Sequence, residues 1–191
     1  MVSLCIRRLN ETGVVVTNTV CDNPTVNLSM LAHLGAKVHW NNPQPCLNIG
    51  NLLGKPILCF LDPPHCQKLT RNTFGDLGVL IDGNGGEVKW AHVQLLHELQ
   101  TLEGLTLANK LKREHILYYK NKMKVRLATE VLSQSVATAL IFCEHDLKRP
   151  QFHGASVTAE YLSCFDILFD LMNSKYICGK RNKSLMILSS Y

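Results

Sequence analysis

The chain has 191 residues, of which 46% are hydrophobic, and this composition excludes a disordered tail. The net charge of +5 is too modest to indicate nucleic-acid binding by itself. The N-terminal residues lack the charged and apolar segments of a signal peptide, and no apolar run approaches membrane-spanning length. The composition therefore predicts a soluble intracellular protein, in one ordinary domain or two small ones, without membrane contact.

The first 75 residues alternate predicted helices and strands. A β-branched run before Pro24 predicts a buried strand, and an apolar run before Asp62 predicts another. The two prolines after Asp62 suit the first turn of a helix. The predicted order is therefore helix, strand, helix, strand, helix, over SLCIRRLNETG, VVVTNTV, TVNLSMLAHLGAK, PILCFL and HCQKLTRNTF.

The remaining residues are predicted to be helical almost throughout. They open with a glycine-rich segment, GDLGVLIDGNGGEVK, which is predicted to be a connector. Apolar periodicities follow, and the longest predicts one continuous helix over residues 109–142. The chain thus divides near residue 76 into an α/β front, residues 1–75, and a helical rear, residues 76–191.

Two aspartates stand at matching places in the front. Asp22 ends the first predicted strand and Asp62 ends the second, and His65 follows three residues later. Ligand sites of α/β sheets lie outside the carboxyl ends of strands, where paired carboxylates suit Mg²⁺. The alternative is that both aspartates are turn or cap residues and that His65 is a structural hydrogen-bond partner, which the spacing alone favours.

Basic residues are concentrated in the longest predicted helix. Such a cluster attracts nucleotide phosphates or the DNA backbone, and its ordinary alternative is a solvated helix face. The tetrapeptide NKLK at 109–112 resembles a guanine-reading motif but has Lys112 where that motif requires aspartate. Seven of the twenty lysines and arginines belong to the cluster: Lys110, Lys112, Arg113, Lys120, Lys122, Lys124 and Arg126.

The chain resembles the P element transposase family, which includes the THAP-domain transposase-like proteins. The resemblance rests on VCDNPTVNLSMLAHLGAKV, on the DPPH string within CFLDPPHCQKLTRN, and on KMKVRLATEVLSQSVATAL. It implies a partial RNase H-like transposase domain in residues 1–75 and a helical GTP-binding insertion-like domain in residues 76–191. The implied fold class is an α/β fragment of an RNase H-like fold followed by an all-α insertion domain, predominantly helical overall.

The same resemblance assigns roles to particular residues. Asp22 corresponds to the second of three catalytic acids and is the implied metal ligand, while Asp62 and His65 form the supporting D-x-x-H string. The implied cofactors are Mg²⁺ and GTP. The implied partners are DNA, GTP, and a homo-oligomer or a parent transposase subunit, and the implied location is the nucleus. Four basic residues are the implied contacts of nucleotide or DNA phosphate: Lys110, Lys112, Lys124 and Arg126.

The implied ancestral activity is metal-dependent, GTP-assisted DNA cleavage and strand transfer. We expect the chain to be a fragment that is inactive alone, because two of the three catalytic acids are missing from it. It also departs from the family pattern after Asp22, where Asn23 and Pro24 replace the usual glycine. The alternative function is a domesticated non-catalytic module that binds nucleotide or nucleic acid.

Overall fold

The computed structural model describes residues 1–37, 42–48, 56–104, 107 and 109–173. The chain divides into two units, Met1–Cys66 and Gln67–Tyr191. The division lies inside a helix, nine residues before the boundary predicted after residue 75. Helices account for most of the described residues, as predicted.

The first unit contains a small mixed sheet. Strand β3 lies in its centre, parallel to β1 and antiparallel to β2. Helix α3 begins directly after the sheet, at the two adjacent prolines, and continues into the second unit. The elements in chain order are α1 (Val2–Glu11), β1 (Asn18–Cys21), α2 (Thr25–His33), β2 (Cys46–Leu47), β3 (Ile57–Leu61) and α3 (Pro63–Leu77).

The two faces of this sheet have different surroundings. Ile57 and Cys59 of β3 are buried with Ile6 of α1 and Leu31 of α2, because alternate residues of a strand point to opposite faces. On the other face, Leu58 and Phe60 of β3 and Val20 of β1 are between 40% and 56% exposed. One apolar face is therefore covered by helices and the other faces solvent.

The second unit opens with a β-hairpin, so the prediction of an all-α domain is wrong in this segment. The hairpin replaces the predicted connector, and Asp82 Oδ1 closes it by accepting the amide hydrogens of Asn84 and Gly86 at 2.8 and 2.6 Å. The elements are β4 (Val79–Ile81), β5 (Glu87–Lys89), α4 (Trp90–Glu103), α5 (Arg113–Ile116), α6 (Val125–Val131), α7 (Gln134–His145) and α8 (Ala155–Met172).

The long helix predicted over residues 109–142 is also wrong, because the segment breaks into α5, α6 and α7. A 3₁₀ turn, Tyr118–Lys120, lies between α5 and α6. The carbonyls of Asn121 and Lys122 accept hydrogen bonds from Arg71 of α3 instead of serving a continuous helix. Ser133 then caps α7 by accepting the amide hydrogen of Val136.

The core of the second unit combines aliphatic helix faces with an aromatic cluster. Phe74 and Trp90 pack edge to face at 5.2 Å between ring centroids, and Trp90 packs against Tyr118 at 5.1 Å. Leu96 of α4 and Leu140 of α7 are fully buried in the same core. This packing fixes α3 against the 3₁₀ turn, which bears on the candidate sites below.

The segment Val125–His145 is long and apolar enough, by length and composition, to cross a membrane. The expectation that no apolar run reaches that length is therefore wrong. In the structure the segment forms α6 and α7, and Leu127, Val131 and Leu140 are fully buried in the second unit. Packing in this core accounts for the apolar composition.

Candidate functional site

The two strand-end aspartates lie at the same edge of the sheet in the first unit. Strands β1 and β3 are parallel, and the last residue of β1, Cys21, is in register with the last residue of β3, Leu61. Asp22 and Asp62 follow these residues directly. The amide of Asp62 donates to the carbonyl of Cys21 at 2.9 Å. The predicted placement of both carboxylates at one sheet edge therefore agrees with the strand register.

Asp62 serves as the cap of α3. Its Oδ2 accepts the backbone amide hydrogen of His65 at 2.9 Å, and its carbonyl accepts that of Cys66 at 2.9 Å. Pro63 and Pro64 have no amide hydrogen, so they fit positions in a first helical turn where such donors have no intrahelical partner. The Asp62 carboxylate thus caps α3, which agrees with the alternative that Asp62 is a turn or cap residue.

His65 faces the other aspartate. Its ring Nδ1 lies 3.7 Å from Asp22 Oδ2, within ion-pair distance but beyond an ordinary hydrogen bond. The side chain of His65 is 18% exposed and that of Asp22 is 56% exposed. The D-x-x-H string therefore has a geometric role: Asp62 holds the backbone of His65, and the His65 ring flanks Asp22.

Asn23 is a site neighbour that the sequence analysis did not single out as functional. Its Nδ2 contacts Cys66 Sγ at 3.6 Å, while its buried Oδ1 has no hydrogen-bond partner in the described residues. Burial, followed by the nearby Asp62 charge, raises the pKa of the Cys66 thiol. Its position directly after Asp22 is the sequence feature that could have identified Asn23 as a neighbour of the site.

The residues around Asp22 do not fit a complete magnesium site. Within the described ranges, no three histidine, cysteine or acidic side chains are grouped closely enough to hold a metal ion. One oxygen of Asp62, Oδ2, accepts a hydrogen bond from the start of α3, and Asp22, His65 and Asn23 are the other polar groups nearby. Mg²⁺ requires several oxygen ligands, and within the described residues no third acidic, histidine or cysteine side chain completes a ligand group at this edge.

The four predicted phosphate contacts fall into two pairs in the second unit. Lys110 Nζ and Arg126 Nη1 lie 3.9 and 3.5 Å from Glu130 Oε1. Lys112 and Lys124 are exposed, and no carboxylate of the described residues lies within ion-pair distance of either. Lys112 and Lys124 are therefore the more available pair for an added phosphate.

Glu130 contacts a buried histidine as well as two of these basic side chains. His115 is 1% exposed, and its Nε2 lies 2.9 Å from Glu130 Oε2. His115 Nδ1 accepts the backbone amide hydrogen of Lys112 at 2.9 Å. Asn109 is likewise engaged locally, because its Oδ1 accepts the amide hydrogen of Leu111 at 3.0 Å and its Nδ2 donates to the carbonyl of Leu107 at 3.4 Å.

Arg71 is a buried cation that the sequence analysis missed. It is 0% exposed, and its Nη2 donates to the carbonyls of Asn121 and Lys122 at 3.1 and 3.4 Å. Its Nη1 is buried and has no partner within the described residues, and burial lowers the pKa of the guanidinium. Helical spacing places Arg71 on the same face of α3 as the buried Phe74, but no local signal indicates the distant carbonyls that allow an arginine to be buried there.

Comparison with known proteins gives one consistent family. The family model described as the TNP-like, GTP-binding insertion domain matches residues 64–185. The chain is 29% identical over 193 residues to DNA transposase THAP9 of Homo sapiens, covering 100% of this chain and 21% of that protein. It is 29% identical over 177 residues to the Transposable element P transposase of Drosophila melanogaster, covering 89% and 22%.

A solved structure matches both in fold and in sequence. The Drosophila P element transposase strand transfer complex aligns with a TM-score of 0.80 and 26% identity, covering 96% of this chain and 40% of that chain. The chain spans 21% and 22% of the lengths of the two curated relatives.

Proposed function

Because the chain belongs to the transposase-like family with a GTP-binding insertion domain, we propose that it is a segment of a P element-type DNA transposase. In this proposal the second unit binds guanine nucleotide, and the first unit is part of an RNase H-like catalytic domain. The observation that carries the proposal is the structural match to the P element strand transfer complex over 96% of the chain.

The nucleotide proposal is supported by the exposed basic side chains. Lys112 and Lys124 precede α5 and α6, and neither has a carboxylate of the described residues within ion-pair distance. Lys110 and Arg126 add positive charge, part of which Glu130 neutralises. These four side chains would hold the nucleotide phosphates through charge-assisted hydrogen bonds.

Nucleotide titration tests this proposal directly. The purified full chain is expected to bind a fluorescent GTP analogue saturably, and unlabelled GTP but not ATP should displace it. The double substitution Lys112→Gln with Lys124→Gln should raise the Kd about a hundredfold or more, since it removes two charged hydrogen bonds of about 1.5–3 kcal/mol each. Arg7→Gln with Lys148→Asn removes the same charge from exposed sites elsewhere and serves as the control. Displacement by ATP as readily as by GTP would contradict guanine specificity.

The catalytic proposal assigns Asp22 as one of the metal-binding acids, with Asp62 and His65 as supporting residues. It is supported by the shared sheet edge and by the 3.7 Å approach of His65 to Asp22. Because the described residues supply no complete ligand set for Mg²⁺, we expect this chain alone to leave DNA uncut. A plasmid-nicking assay with Mg²⁺ measures this, and nicking that disappears in Asp22→Ala would refute the expectation.

A second candidate function is a non-catalytic module that binds nucleotide or nucleic acid. It is favoured by the use of Asp62 as a helix cap, which leaves Asp22 as the exposed carboxylate at the sheet edge. Saturable GTP binding by a chain that neither associates with a complete P element-type transposase nor changes its nicking rate would support it. A nuclear location, DNA as partner, and self-association or association with a transposase subunit belong to the main proposal. Imaging of a fluorescent fusion tests the nuclear location, and light scattering tests the association.

A further inference from the structure

We propose that the outer edge of strand β4 is a surface through which two copies of this chain pair, forming a four-stranded antiparallel sheet across a two-fold axis. β4 (Val79–Ile81) belongs to the hairpin that opens the second unit, where β5 pairs with it on one side. The proposal names a surface for the self-association that is part of the proposed function, and it rests on that function for its role. The hairpin geometry that carries it is independent of the transposase assignment.

The outer edge of β4 presents unpaired main-chain groups. The amide of Asp82 donates to the carbonyl of Gly86 at 2.9 Å, so the hydrogen-bonded pairs of the hairpin fall on Asp82 and on every second residue before it. Because such pairs alternate along an antiparallel ladder, the amide and carbonyl groups of Val79 and Ile81 point away from β5. Within the described part of the chain, none of these groups has a hydrogen-bond partner.

The outer edge of β5, by contrast, is covered by α8. The amide of Lys89 donates to Thr158 Oγ1 at 3.0 Å, and Val88 is buried in the core of the second unit. A Cβ atom at Gly86 would lie 2.9 Å from Val157 Cγ1, so the backbone at the start of β5 packs directly on α8. Since one edge of the hairpin is open and the other is covered, pairing through β4 ends at two copies and does not propagate into a fibre.

The side chains of β4 favour pairing. Val79 is 47% exposed and Ile81 is 64% exposed, and the strand contains no charged residue, proline or bulge. Those are the features that usually keep an edge strand from pairing with another chain. Glu87 and Lys89, which lie opposite on β5, form an ion pair at 2.7 Å, so this face of the hairpin carries no net charge that would repel a second copy.

The unpaired groups of β4 are complementary to those of a second copy related by a two-fold axis. With Leu80 opposite Leu80 of the second copy, Val79 lies opposite Ile81 of that copy, and each such pair exchanges two main-chain hydrogen bonds. The paired side chains are β-branched and lie on the same face, an arrangement that stabilises adjacent strands. A contact of three residues per strand buries little surface, so we expect a dimer that forms in a concentration-dependent way.

Sedimentation equilibrium of the full chain over a range of concentrations measures this dimer. Ile81→Pro removes an outward amide hydrogen and keeps the hydrogen bonds to β5, because proline is tolerated where the amide of an edge strand faces solvent. The two-fold axis doubles the loss to two hydrogen bonds, so the dimer Kd should rise about tenfold or more. Ile81→Val keeps the amide and the branched side chain and should keep the original Kd. Circular dichroism and thermal unfolding verify that both variants are folded.

A second experiment tests the register of the pairing. Chains that carry Val79→Cys are mixed with chains that carry Ile81→Cys, and oxidised glutathione is added as the oxidant. In the proposed register the two introduced thiols lie on directly opposite residues, about 5.5 Å apart between Cα atoms, which a disulfide spans. Two copies of the same variant place their introduced thiols two residues out of register, beyond that reach. Mass spectrometry should therefore find the link between positions 79 and 81 in the mixture, and no link between identical positions in either variant alone.

The outcomes separate the β4 surface from other causes of association. An equal dimer Kd for Ile81→Pro and Ile81→Val, or links between identical positions, would overturn the β4 surface and leave the proposed self-association standing. A chain that stays monomeric at every concentration would overturn both. Phe60→Ser, on the exposed sheet face of the first unit, should keep the dimer, and a dimer lost in this variant alone would overturn the β4 surface in favour of that face. A dimer that forms without GTP binding would overturn the nucleotide proposal and leave the β4 surface standing.

Discussion

Gly75 shows how closely α3 approaches the aromatic cluster. A Cβ atom at this position would lie 2.4 Å from the ring of Tyr118. The ring is held by Trp90 and by the hydrogen bond from its hydroxyl to Asp76 at 3.0 Å. We expect Gly75→Ala to lower the free energy of unfolding by about 1–3 kcal/mol, although alanine favours helices.

Urea unfolding measures this change, and Gly83→Ala is the control. Gly83 lies in the hairpin turn without a positive φ, and a Cβ there meets no atom within 4 Å. Its substitution should alter the free energy of unfolding only slightly. Equal effects of the two substitutions would show that the Tyr118 ring moves aside without cost.

His92 makes the stability of the second unit pH-dependent. Its ring is 3% exposed, and Nδ1 lies 2.9 Å from Thr158 Oγ1. Burial lowers the pKa of His92 below its ordinary value of 6.5, Lys89 adds to that effect, and Glu144 opposes it. Below that pH the unfolded chain binds the proton and the folded chain does not, so stability present above pH 6.5 is lost as pH falls.

We expect unfolding experiments to show this loss as a free energy of unfolding that falls between pH 7 and pH 5. His92→Gln should remove it, whereas His33→Gln, at an exposed site, should retain it. A pH dependence that is the same in both variants would assign the titration to other groups.

Individual residues differed in how far the sequence could place them. The sequence predicts that Asp22 and Asp62 lie at one sheet edge, because each of them ends an apolar run that is typical of a strand. Arg71 was not, because an arginine becomes buried only when carbonyls such as those of Asn121 and Lys122 arrive from fifty residues away. Local periodicity carries no information about such a partner.

Glu144 fixes the start of α8 at the level of elements. Its carboxylate accepts the amide hydrogens of Gly154 and Ser156, each at 2.7 Å, and the Ser156 hydroxyl at 2.6 Å. These contacts satisfy helix N-terminal donors and place negative charge at the positive end of the helix dipole. Glu144→Ala should lower the free energy of unfolding by about 2 kcal/mol in urea titrations. Glu160→Ala, at an exposed position of the same helix, should change it little.

The errors in element prediction have physical causes. The apolar pattern of residues 109–142 continues through the breaks, so periodicity alone predicts one helix. The breaks come from tertiary contacts, chiefly Arg71 with the Asn121 and Lys122 carbonyls and Glu130 with His115. Strands β4 and β5 have three residues each, too few for alternation to distinguish them from a loop.

The two units differ in how much apolar surface each buries. In the described residues, six hydrophobic side chains form the buried core of the first unit and nineteen form that of the second. Because burial of apolar surface resists local opening, we expect amides of β1 to exchange at least tenfold faster than those of α7. Hydrogen exchange with mass spectrometry measures this, and equal protection of residues 14–22 and of α7 would contradict it.

The exposed sheet face in the first unit has a practical consequence for handling the protein. Val20, Leu58 and Phe60 form an apolar patch on paired strands, and such patches associate in solution. Apolar attraction strengthens on warming from low temperature. Concentrated samples should therefore turn turbid on gentle warming before the second unit melts, and Phe60→Ser should raise the concentration at which turbidity begins. Binding assays are accordingly best run dilute and cold.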